Sequence, residues 1–277
     1  MKKAIYILLC LICFKAEAQI NDTVEKADNL KNDLLTIPDT VAHLRSSTWA
    51  MLPPSVAVVY GASNFFFPPV KRMDIRINND ITEDAPGFRH HPENMFQYTP
   101  AILVYGLNLV GVQGKNTFVD RTLILAMAQG IMNLTVLTLK RTTHRLRPDG
   151  SNYYSFPSGH TANAYLGAEF MAQEFGDRSV AYSAVGYSFA TATGILRMYN
   201  RDHWFSDVVA GAGVGMLSTK AAYLLYPYLR KSVFKVGRKK VPVQENPDEL
   251  KRHQKNNALL IPSYTEDAPG FHFSMAF

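Results

Sequence analysis

Five long stretches of the chain are almost free of charge, and short charged segments separate them. They are residues 94–114, 122–139, 161–175, 179–196 and 208–229, where Glu169, Glu174 and Lys220 are exceptions. A helix that crosses a bilayer needs about 20 mainly apolar residues. The frequent Tyr, Gly, Ala and Ser suit close helix packing in a membrane. The pattern predicts an all-α transmembrane bundle, and a soluble all-α domain with very apolar core helices is the alternative.

The first 18 residues have the three parts of a secretory signal. Two lysines precede an apolar run over residues 4–14, and a small-residue exit site ends at Ala18. This arrangement is typical of a signal peptide that is cleaved on export. An uncleaved signal anchor is the alternative, and in both cases the chain leaves the cytoplasm or enters the membrane.

The flanks of the apolar region are polar. Residues 19–93 form a polar and amphipathic extracytoplasmic region, interrupted by an uncharged stretch at 48–70 that contains four prolines. Proline inside a helix removes a hydrogen bond, so we expect 48–70 to be partly buried or to rest on the membrane, with a short span as the alternative. The predicted helical core is 94–230, and 231–277 is a basic and then aromatic tail. The heptapeptide TEDAPGF occurs at 82–88 and at 265–271; it contains turn residues and indicates no function.

Composition and charge exclude several classes of protein. With 47% hydrophobic and 19% charged residues in a chain of 277, the protein is neither disordered nor fibrous. The net charge of +6 is too small and too scattered to indicate nucleic-acid binding. Both cysteines, Cys10 and Cys13, lie in the first apolar run, which excludes a disulfide framework and a cysteine-rich metal site.

The charge of the connecting segments predicts an orientation. Residues 115–121 and the segment 230–240 are rich in Lys and Arg, and such loops stay on the cytoplasmic side of a membrane. We therefore expect 140–160 and 197–207 to lie on the outer face, provided that 48–70 does not span.

The first candidate segment on that face follows an apolar helix. It runs from Lys140 to Arg147-Pro148 and places several cations at one helix end. Converging cations bind anions, with Arg suited to two-pronged contacts with phosphate. Contacts with lipid headgroups are the alternative.

The second segment, Pro157-Ser158-Gly159-His160, opens an apolar helix. A tight turn into a helix N-terminus presents free backbone N–H groups to phosphate oxygens. The imidazole of His160 titrates near neutral pH and is suited to act as an acid. An ordinary serine N-cap with an exposed histidine is the alternative.

The third segment contains Arg197, His203 and Asp207. The histidine and the aspartate are four residues apart, so on a helix they share a face and can form a hydrogen bond. A carboxylate on one ring nitrogen fixes the tautomer and leaves the other nitrogen free to act as a nucleophile. A surface ion pair is the alternative.

Together and in this order, the three segments resemble the motifs of the type 2 phosphatidic acid phosphatase (PAP2) superfamily. The pattern is Lys, six residues, Arg-Pro; then Pro-Ser-Gly-His; then Arg, five residues, His, three residues, Asp. The resemblance covers about residues 120–220. Leu196 departs from it, since a serine often precedes the arginine of the third motif. The resemblance implies an all-α bundle, here with five to six membrane helices.

The resemblance also implies a reaction, namely metal-independent hydrolysis of a phosphate ester through a phosphohistidine, without a cofactor. His203 would be the nucleophile, Asp207 its orienting partner and His160 the acid. The phosphate-binding residues would be Lys140, Arg147, Ser158, Gly159 and Arg197. No cluster of acidic or of His and Cys residues with ligand spacing indicates a metal site.

The location of the segments suggests the substrate. A site at the outer ends of membrane helices favours a lipid phosphate, such as undecaprenyl diphosphate, a glycerophospholipid phosphate or a lipid A phosphate. The expected location is the bacterial inner membrane, with the site facing the periplasm. A soluble periplasmic acid phosphatase of the same superfamily is the main alternative. A vanadium-dependent haloperoxidase and a membrane protein that only binds phosphate or lipid are more distant ones. The sequence leaves the oligomeric state open.

Overall fold

The computed structural model describes residues 48–233, 258–265 and 268–275. The chain divides into two compact units, Met1–Arg230 and Lys231–Phe277. The predicted signal peptide, 1–18, and residues 19–47 lie outside the described residues.

The described part of the first unit is helical. It begins with a 3₁₀ turn at Thr48–Met51 and continues with α1 (Leu52–Ser63), α2 (Pro68–Asp84), α3 (Glu93–Phe96), α4 (Thr99–Leu109), α5 (Phe118–Thr143), α6 (Gly159–Phe175), α7 (Val180–Tyr199) and α8 (Phe205–Val233). Each of the five uncharged stretches contains a helix, and the first is divided between α3 and α4. The all-α prediction is confirmed for this unit.

The prolines of 48–70 start helices instead of interrupting one. Pro53 and Pro54 lie in the first turn of α1, and α2 begins with Pro68 and Pro69. Proline is tolerated there because the first N–H groups of a helix have no intrahelical acceptor. The stretch therefore forms two helices that meet at an angle of 87°.

Two of the described helices, α5 and α8, are long and apolar enough to cross a membrane. The bent pair α1 and α2 makes a third candidate if it is counted as one broken span. By length and composition the expected five to six spans are therefore not reached. The helix α6 has only 17 residues, and the many Ser, Thr and Gly residues of α7 lower its mean hydropathy. Those further spans stay a prediction.

The helix α6 lies at the centre of the unit. A Cβ at Gly211 of α8 would lie 2.5 Å from the carbonyl oxygen of Ser158, and one at Gly186 of α7 would lie 3.3 Å from Cα of Ala168. Small residues let helix backbones approach this closely. The main core cluster of buried apolar side chains comes from α4, α5, α6 and α8: Val104, Ile124, Ala128, Met132, Val136, Ala162, Leu166, Phe170, Met171, Phe175, Val214, Ala222, Tyr223 and Tyr226.

The helix α1 belongs to the bundle and packs along α8. A Cβ at Gly61 would lie 2.5 Å from Cβ of Ala210, and one at Gly213 would lie 2.5 Å from the carbonyl oxygen of Pro54. Residue numbers rise on one helix as they fall on the other, so the two helices are antiparallel.

The connections place all three candidate segments at one end of the bundle, which we call the motif end. There the N–H of Ser158 donates to the carbonyl oxygen of Asp207 over 3.0 Å. At the opposite end, Arg121 at the start of α5 pairs with Glu174 near the end of α6, and Tyr226 near the end of α8 donates to Asp120. Arg121 is fully buried, so it is not the free loop cation that the orientation argument assumed.

The described part of the second unit is an antiparallel hairpin of β1 (Ala258–Thr265) and β2 (Ala268–Met275), in the register that pairs Ala258 with Met275. These strands were not predicted from the sequence. The first TEDAPGF copy begins in the last turn of α2, whereas the second begins at Thr265, the last residue of β1. The repeat therefore has no single structure, which agrees with a turn-forming segment that follows its surroundings.

Candidate active site

Asp202 joins the first and third candidate segments. Its Oδ1 accepts a hydrogen bond from Nη1 of Arg147 over 3.1 Å, and its Oδ2 lies 3.0 Å from Nη1 of Arg197. The two arginines are 50 residues apart in the sequence, yet one carboxylate holds both. The side chains of Arg147 and Arg197 are only 20% and 7% exposed, so their direction is fixed before any ligand arrives.

Burial and the same two cations, Lys140 and Arg197, lower the pKa of both His203 and His160. Burial lowers the pKa of His203 to about 3, and the positive charges of Lys140 and Arg197 lower it further against the opposing effect of Asp207. Burial also lowers the pKa of His160 to about 4, again with contributions from Arg197 and Lys140. Contacts with Asp207 connect the second and third segments: its carbonyl oxygen accepts from the backbone N–H two residues before His160, and its carboxylate lies 3.8 Å from His203. The structure thus brings both imidazoles and these cations into one region, and both rings are neutral at pH 7.

The predicted pairing of His203 with Asp207 has a different geometry from the expected one. The helix α8 begins at Phe205, so His203 lies in the turn before it and the two residues do not share a helix face. The distance from Nδ1 of His203 to Oδ2 of Asp207 is 3.8 Å, which is longer than a hydrogen bond. The buried Nδ1 atom has no hydrogen-bond partner in the described protein. The expected hydrogen bond is therefore corrected to a longer contact.

The carboxylate oxygens of Asp207 accept hydrogen bonds from other groups instead. Its Oδ2 accepts from the backbone N–H of Trp204 over 3.0 Å and from the hydroxyl of Ser155. Its Oδ1 accepts from Nη1 of Arg145. These donors fix the carboxylate, which is fully buried, beside His203.

The second segment forms the helix N-terminus that the sequence predicted. Ser158 is the N-cap of α6, and its Oγ accepts from the N–H of Thr161 over 3.4 Å. The side chain of Lys140 lies alongside, with Cε 4.0 Å from where a Cβ of Gly159 would be. Nζ of Lys140 donates to the carbonyl oxygen of Tyr154. The first N–H groups of α6 and the ammonium group of Lys140 therefore share one corner of the site.

Several polar residues at this site were missed by the sequence motifs. Nε2 of His160 lies 2.9 Å from Oδ1 of Asn94, and because a carbonyl oxygen only accepts, Nε2 carries the hydrogen. Glu93 is fully buried, and its Oε1 accepts from Nη1 of Arg197 over 3.3 Å and from Asn200 over 2.9 Å. Both residues precede α4, and the only sequence signal was a carboxylate at the edge of an uncharged stretch.

One group of side chains has the spacing of a metal site. Ligand atoms of His91, Glu93 and Asp202 all lie within 4.8 Å of one another. However, both carboxylates contact Arg197, and Asp202 also contacts Arg147. Guanidinium groups already compensate the negative charge that would attract a cation, so these donors fit the fixing of arginines better than the binding of a metal.

Two further charged residues stand beside Asp207 without belonging to any motif. Arg145 lies between Lys140 and Arg147 of the first segment, and Asp74 comes from α2. Nη2 of Arg145 donates to Oδ2 of Asp74 over 2.6 Å. The sequence separates them by 71 positions, so no spacing rule could have paired them.

The site therefore combines a buried imidazole beside a fixed carboxylate with two bridged arginines and a helix N-terminus, an arrangement that suits the binding of a phosphoryl group. Residues 121–231 match the family model described as the PAP2 superfamily, and the three candidate segments lie within that match.

The chain is also similar to a curated protein. It is 37% identical over 156 residues to the lipid A 1-phosphatase of Porphyromonas gingivalis, an alignment that covers 54% of this chain and 35% of the relative. The chain thus matches about a third of that relative's length.

Two solved structures are also similar to this chain. Aquifex aeolicus LpxE is 21% identical, and the match covers 55% of this chain and 92% of LpxE with a TM-score of 0.40. The transmembrane PAP2 type phosphatidylglycerolphosphate phosphatase of Bacillus subtilis is 22% identical, and the match covers 65% and 97% with a TM-score of 0.43.

Proposed function

We propose that this protein hydrolyses a lipid phosphate through a phosphohistidine on His203, without a metal ion. The observation that carries the proposal is the buried ring of His203, whose Nδ1 lies 3.8 Å from the fixed carboxylate of Asp207. A neutral imidazole has a lone pair for attack on phosphorus, and adjacent cations neutralise the charge on the phosphoryl oxygens.

In the first step, Nε2 of His203 attacks phosphorus, the N–P bond forms and the bond to the leaving oxygen breaks. His160 gives its proton to that oxygen. Without a bound anion, burial and neighbouring cations keep the pKa of His160 at about 4. The negative charge of a phosphate opposes those cations and raises this pKa, so that the imidazole takes up the proton it later donates. In the second step, His160 accepts a proton from water, which attacks phosphorus and releases His203.

Asp207 stabilises the positive charge that develops on His203 during attack. Its carboxylate is fixed 3.8 Å from Nδ1, and a small movement of the ring on binding closes that distance. Catalytic hydrogen bonds are often long before the substrate is bound.

The phosphoryl oxygens would be held by Lys140, Arg147, Ser158, Gly159 and Arg197. Arginine forks match phosphate oxygens in pairs, and the helix N-terminus adds backbone donors. Because phosphoryl transfer needs mainly positioning and charge stabilisation, arginines fixed by Asp202 suit this task.

A lipid A-type phosphate monoester is the substrate we favour. The likeness to a protein named lipid A 1-phosphatase supports it, as do α5 and α8, which are apolar enough to place the site at a membrane surface. Only residues 149–156 separate the first two motifs, which leaves room for a bulky headgroup. Undecaprenyl diphosphate and glycerophospholipid phosphates are the competing lipids.

We place the site on the periplasmic side of the inner membrane. The export signal and the cationic segment after Arg230 support this orientation, whereas the buried Arg121 no longer contributes to it. The helix α1 is antiparallel to α8 and ends at the motif end, so a spanning α1 would start in the cytoplasm. The export signal fits this orientation only if α1 does not span the membrane. A reporter fused after Arg230 should be cytoplasmic, and an external signal there would contradict this orientation.

Phosphate release by the purified full-length protein in detergent tests the function. We expect release from a lipid A phosphate in the presence of EDTA, with slower release from prenyl diphosphate and glycerophospholipid phosphates, and none with His203→Gln. Loss of activity in EDTA would overturn the metal-free mechanism. Preference for water-soluble esters, together with extraction from cells without detergent, would favour the soluble acid phosphatase.

A further inference from the structure

Two charged side chains outside the motif positions, Asp74 and Arg145, are connected by hydrogen bonds to Asp207, which lies beside His203. Asp74 of α2 is 1% exposed. Its Oδ2 accepts from Nη2 of Arg145 over 2.6 Å, while Nη1 of the same arginine donates to Oδ1 of Asp207. One guanidinium thus joins two buried carboxylates, and the second of them lies beside His203.

Further hydrogen bonds restrict the movement of Asp74 and Arg145. Asp74 also accepts from the backbone N–H of Ser206 over 2.9 Å, from the Ser206 hydroxyl over 2.6 Å and from Asn64 over 2.6 Å. Ser206 is the neighbour of Asp207, and its hydroxyl also accepts from Nη1 of Arg145 over 2.7 Å. The contacts of Asp74 therefore fix the start of α8 as well as the arginine.

Aromatic rings hold the guanidinium on two sides. Its Cζ lies 5.9 Å from the ring centre of Phe65 and 5.6 Å from that of Trp204. Arginine stacks on aromatic faces in this way while its edge donates to carboxylates, which lysine cannot do. Trp204 is itself anchored, since Nε1 donates to the carbonyl oxygen of Leu146 over 2.8 Å.

We propose that Asp74 and Arg145 are positioning residues for the reaction, acting through Asp207 on His203. Arg145 fixes the Asp207 carboxylate and takes up part of its negative charge. Asp74 balances Arg145, so that Asp207 keeps enough negative charge to stabilise the phosphorylated imidazole. This inference rests on the proposed function for the role of His203 as nucleophile. It gives α2, which lies outside the residues that match the PAP2 model, a part in catalysis.

Steady-state kinetics on a double-mutant cycle test the proposal. We expect Arg145→Gln and Asp74→Asn each to lower kcat by about 10- to 100-fold, as is usual for groups that orient a reacting histidine, with KM within about threefold because the phosphate-binding groups are intact. Since Asp74 acts through Arg145, the double variant should lose no more than the worse single variant. Arg145→Lys should recover part of the loss. Multiplying losses, or kcat unchanged in either single variant, would overturn the proposal.

Binding of two inorganic anions separates this proposal from the proposed function. Orthovanadate takes a fifth ligand from a nucleophile and so mimics the transition state, whereas inorganic phosphate needs only the cations. We expect Arg145→Gln to weaken vanadate inhibition or binding about tenfold and to leave phosphate affinity within twofold. This comparison does not need turnover, so it decides the role of Arg145 even if wild-type protein releases no phosphate from any lipid tested. Equal weakening of both anions, or of neither, contradicts it.

Glu174→Gln is the control for effects of lost stability, because it breaks a buried ion pair at the opposite end of the bundle. We expect this variant to unfold at a lower temperature with normal kcat. If Arg145→Gln and Glu174→Gln lower the unfolding temperature and kcat in the same proportion, the contacts of Arg145 are structural only and the proposal is wrong.

Discussion

The two ends of the helical unit both bury charge, but they satisfy it differently. At the opposite end, Glu174 accepts from Arg121, from Asn116 and from the hydroxyl of Tyr223. Eight buried side-chain polar atoms in residues 49–230 lack a hydrogen-bond partner, and seven of them are at the motif end. They belong to Glu93, Arg147, Arg197, Asn200, Arg201, Asp202 and His203.

The difference shows what each end is organised to do. Buried groups without partners cost free energy, and they persist where the surrounding structure holds them in place. At the motif end, Asp202 and Glu93 hold the arginines through some of their atoms. At the opposite end the same residue types are used to join α5, α6 and α8. Substitutions at the motif end should therefore affect mainly activity, and those at the opposite end mainly stability.

Removal of the proposed nucleophile should produce the largest difference between the effect on activity and the effect on stability. We expect His203→Gln to lower kcat by at least about 10⁴-fold, as for other nucleophilic residues, with little change in unfolding temperature because the neutral side chain is replaced by another. Phosphate release and thermal unfolding measure the two quantities. Residual turnover within tenfold of wild type would refute the assignment of His203.

The next largest effect should come from the arginine bridge. Arg197→Lys keeps the charge but loses the planar guanidinium group, whose Nη1 contacts both Glu93 and Asp202. We expect kcat/KM to fall about 10²- to 10³-fold. Arg178→Lys, at an exposed position near the opposite end, is the matched control and should behave as wild type. Similar kinetics for the two variants would mean that Arg197 does not hold phosphate.

At the opposite end, Glu174→Gln should have the reverse outcome. It leaves the fully buried Arg121 without its counter-charge, which costs about 3 kcal/mol of unfolding free energy. Reversible unfolding in detergent measures this loss, and kcat should stay within twofold of wild type. A large fall in kcat would show that the two ends are coupled.

A further effect on stability is expected from acid. The folded-state pKa of His203 is lowered from 6.5 to about 3 by burial, so below pH 6.5 the unfolded chain binds a proton that the folded chain does not. His203 therefore stabilises the fold relative to the unfolded chain fully above pH 6.5, and this contribution is lost as pH falls towards 3. Between these values the unfolding temperature of wild type should fall more steeply than that of His203→Gln. Parallel curves would mean that the imidazole is not buried.

The smallest effect should follow from Lys115→Ala. Its partner Asp177 is 83% exposed, and pairs of this kind contribute about 0.5 kcal/mol or less. We expect no measurable change in kcat and a change in unfolding free energy within that limit. A larger loss of stability would indicate that Lys115 has a further structural role in the connection between α4 and α5.

The sequence predicted those parts of the fold and site that depend on local chemistry. Ser158 as a helix N-cap followed from its residue type and its place before an apolar run. The five helices of the core followed from uncharged stretches. The residues identified from the motifs lie at one end of the bundle in the structure. The spacing between the second and third motifs corresponds to helices that run to the opposite end and back. The roles of those residues stay predictions until they are tested.

The sequence could not predict features that depend on long-range packing or on the exact start of a helix. A start at Phe205 instead of two residues earlier removed the expected helix-face pair of His203 and Asp207. Arg121 was expected to be a cation of a cytoplasmic loop, whereas in the structure it is buried and paired with Glu174. Asp74 and Arg145 come together only because α2 bends away from α1, and no local pattern records that bend.

The close contact between α6 and α8 limits how the site can change. Gly211 faces the carbonyl oxygen of Ser158, and one turn further on Gly215 faces that of Ala162, with no room for a methyl group at either position. The spacing of these two backbones sets the gap between His160 and the turn that carries His203. A wider pocket for a larger headgroup cannot be made by moving these helices apart gradually, so variation in substrate size has to arise in the connecting loops and in α2.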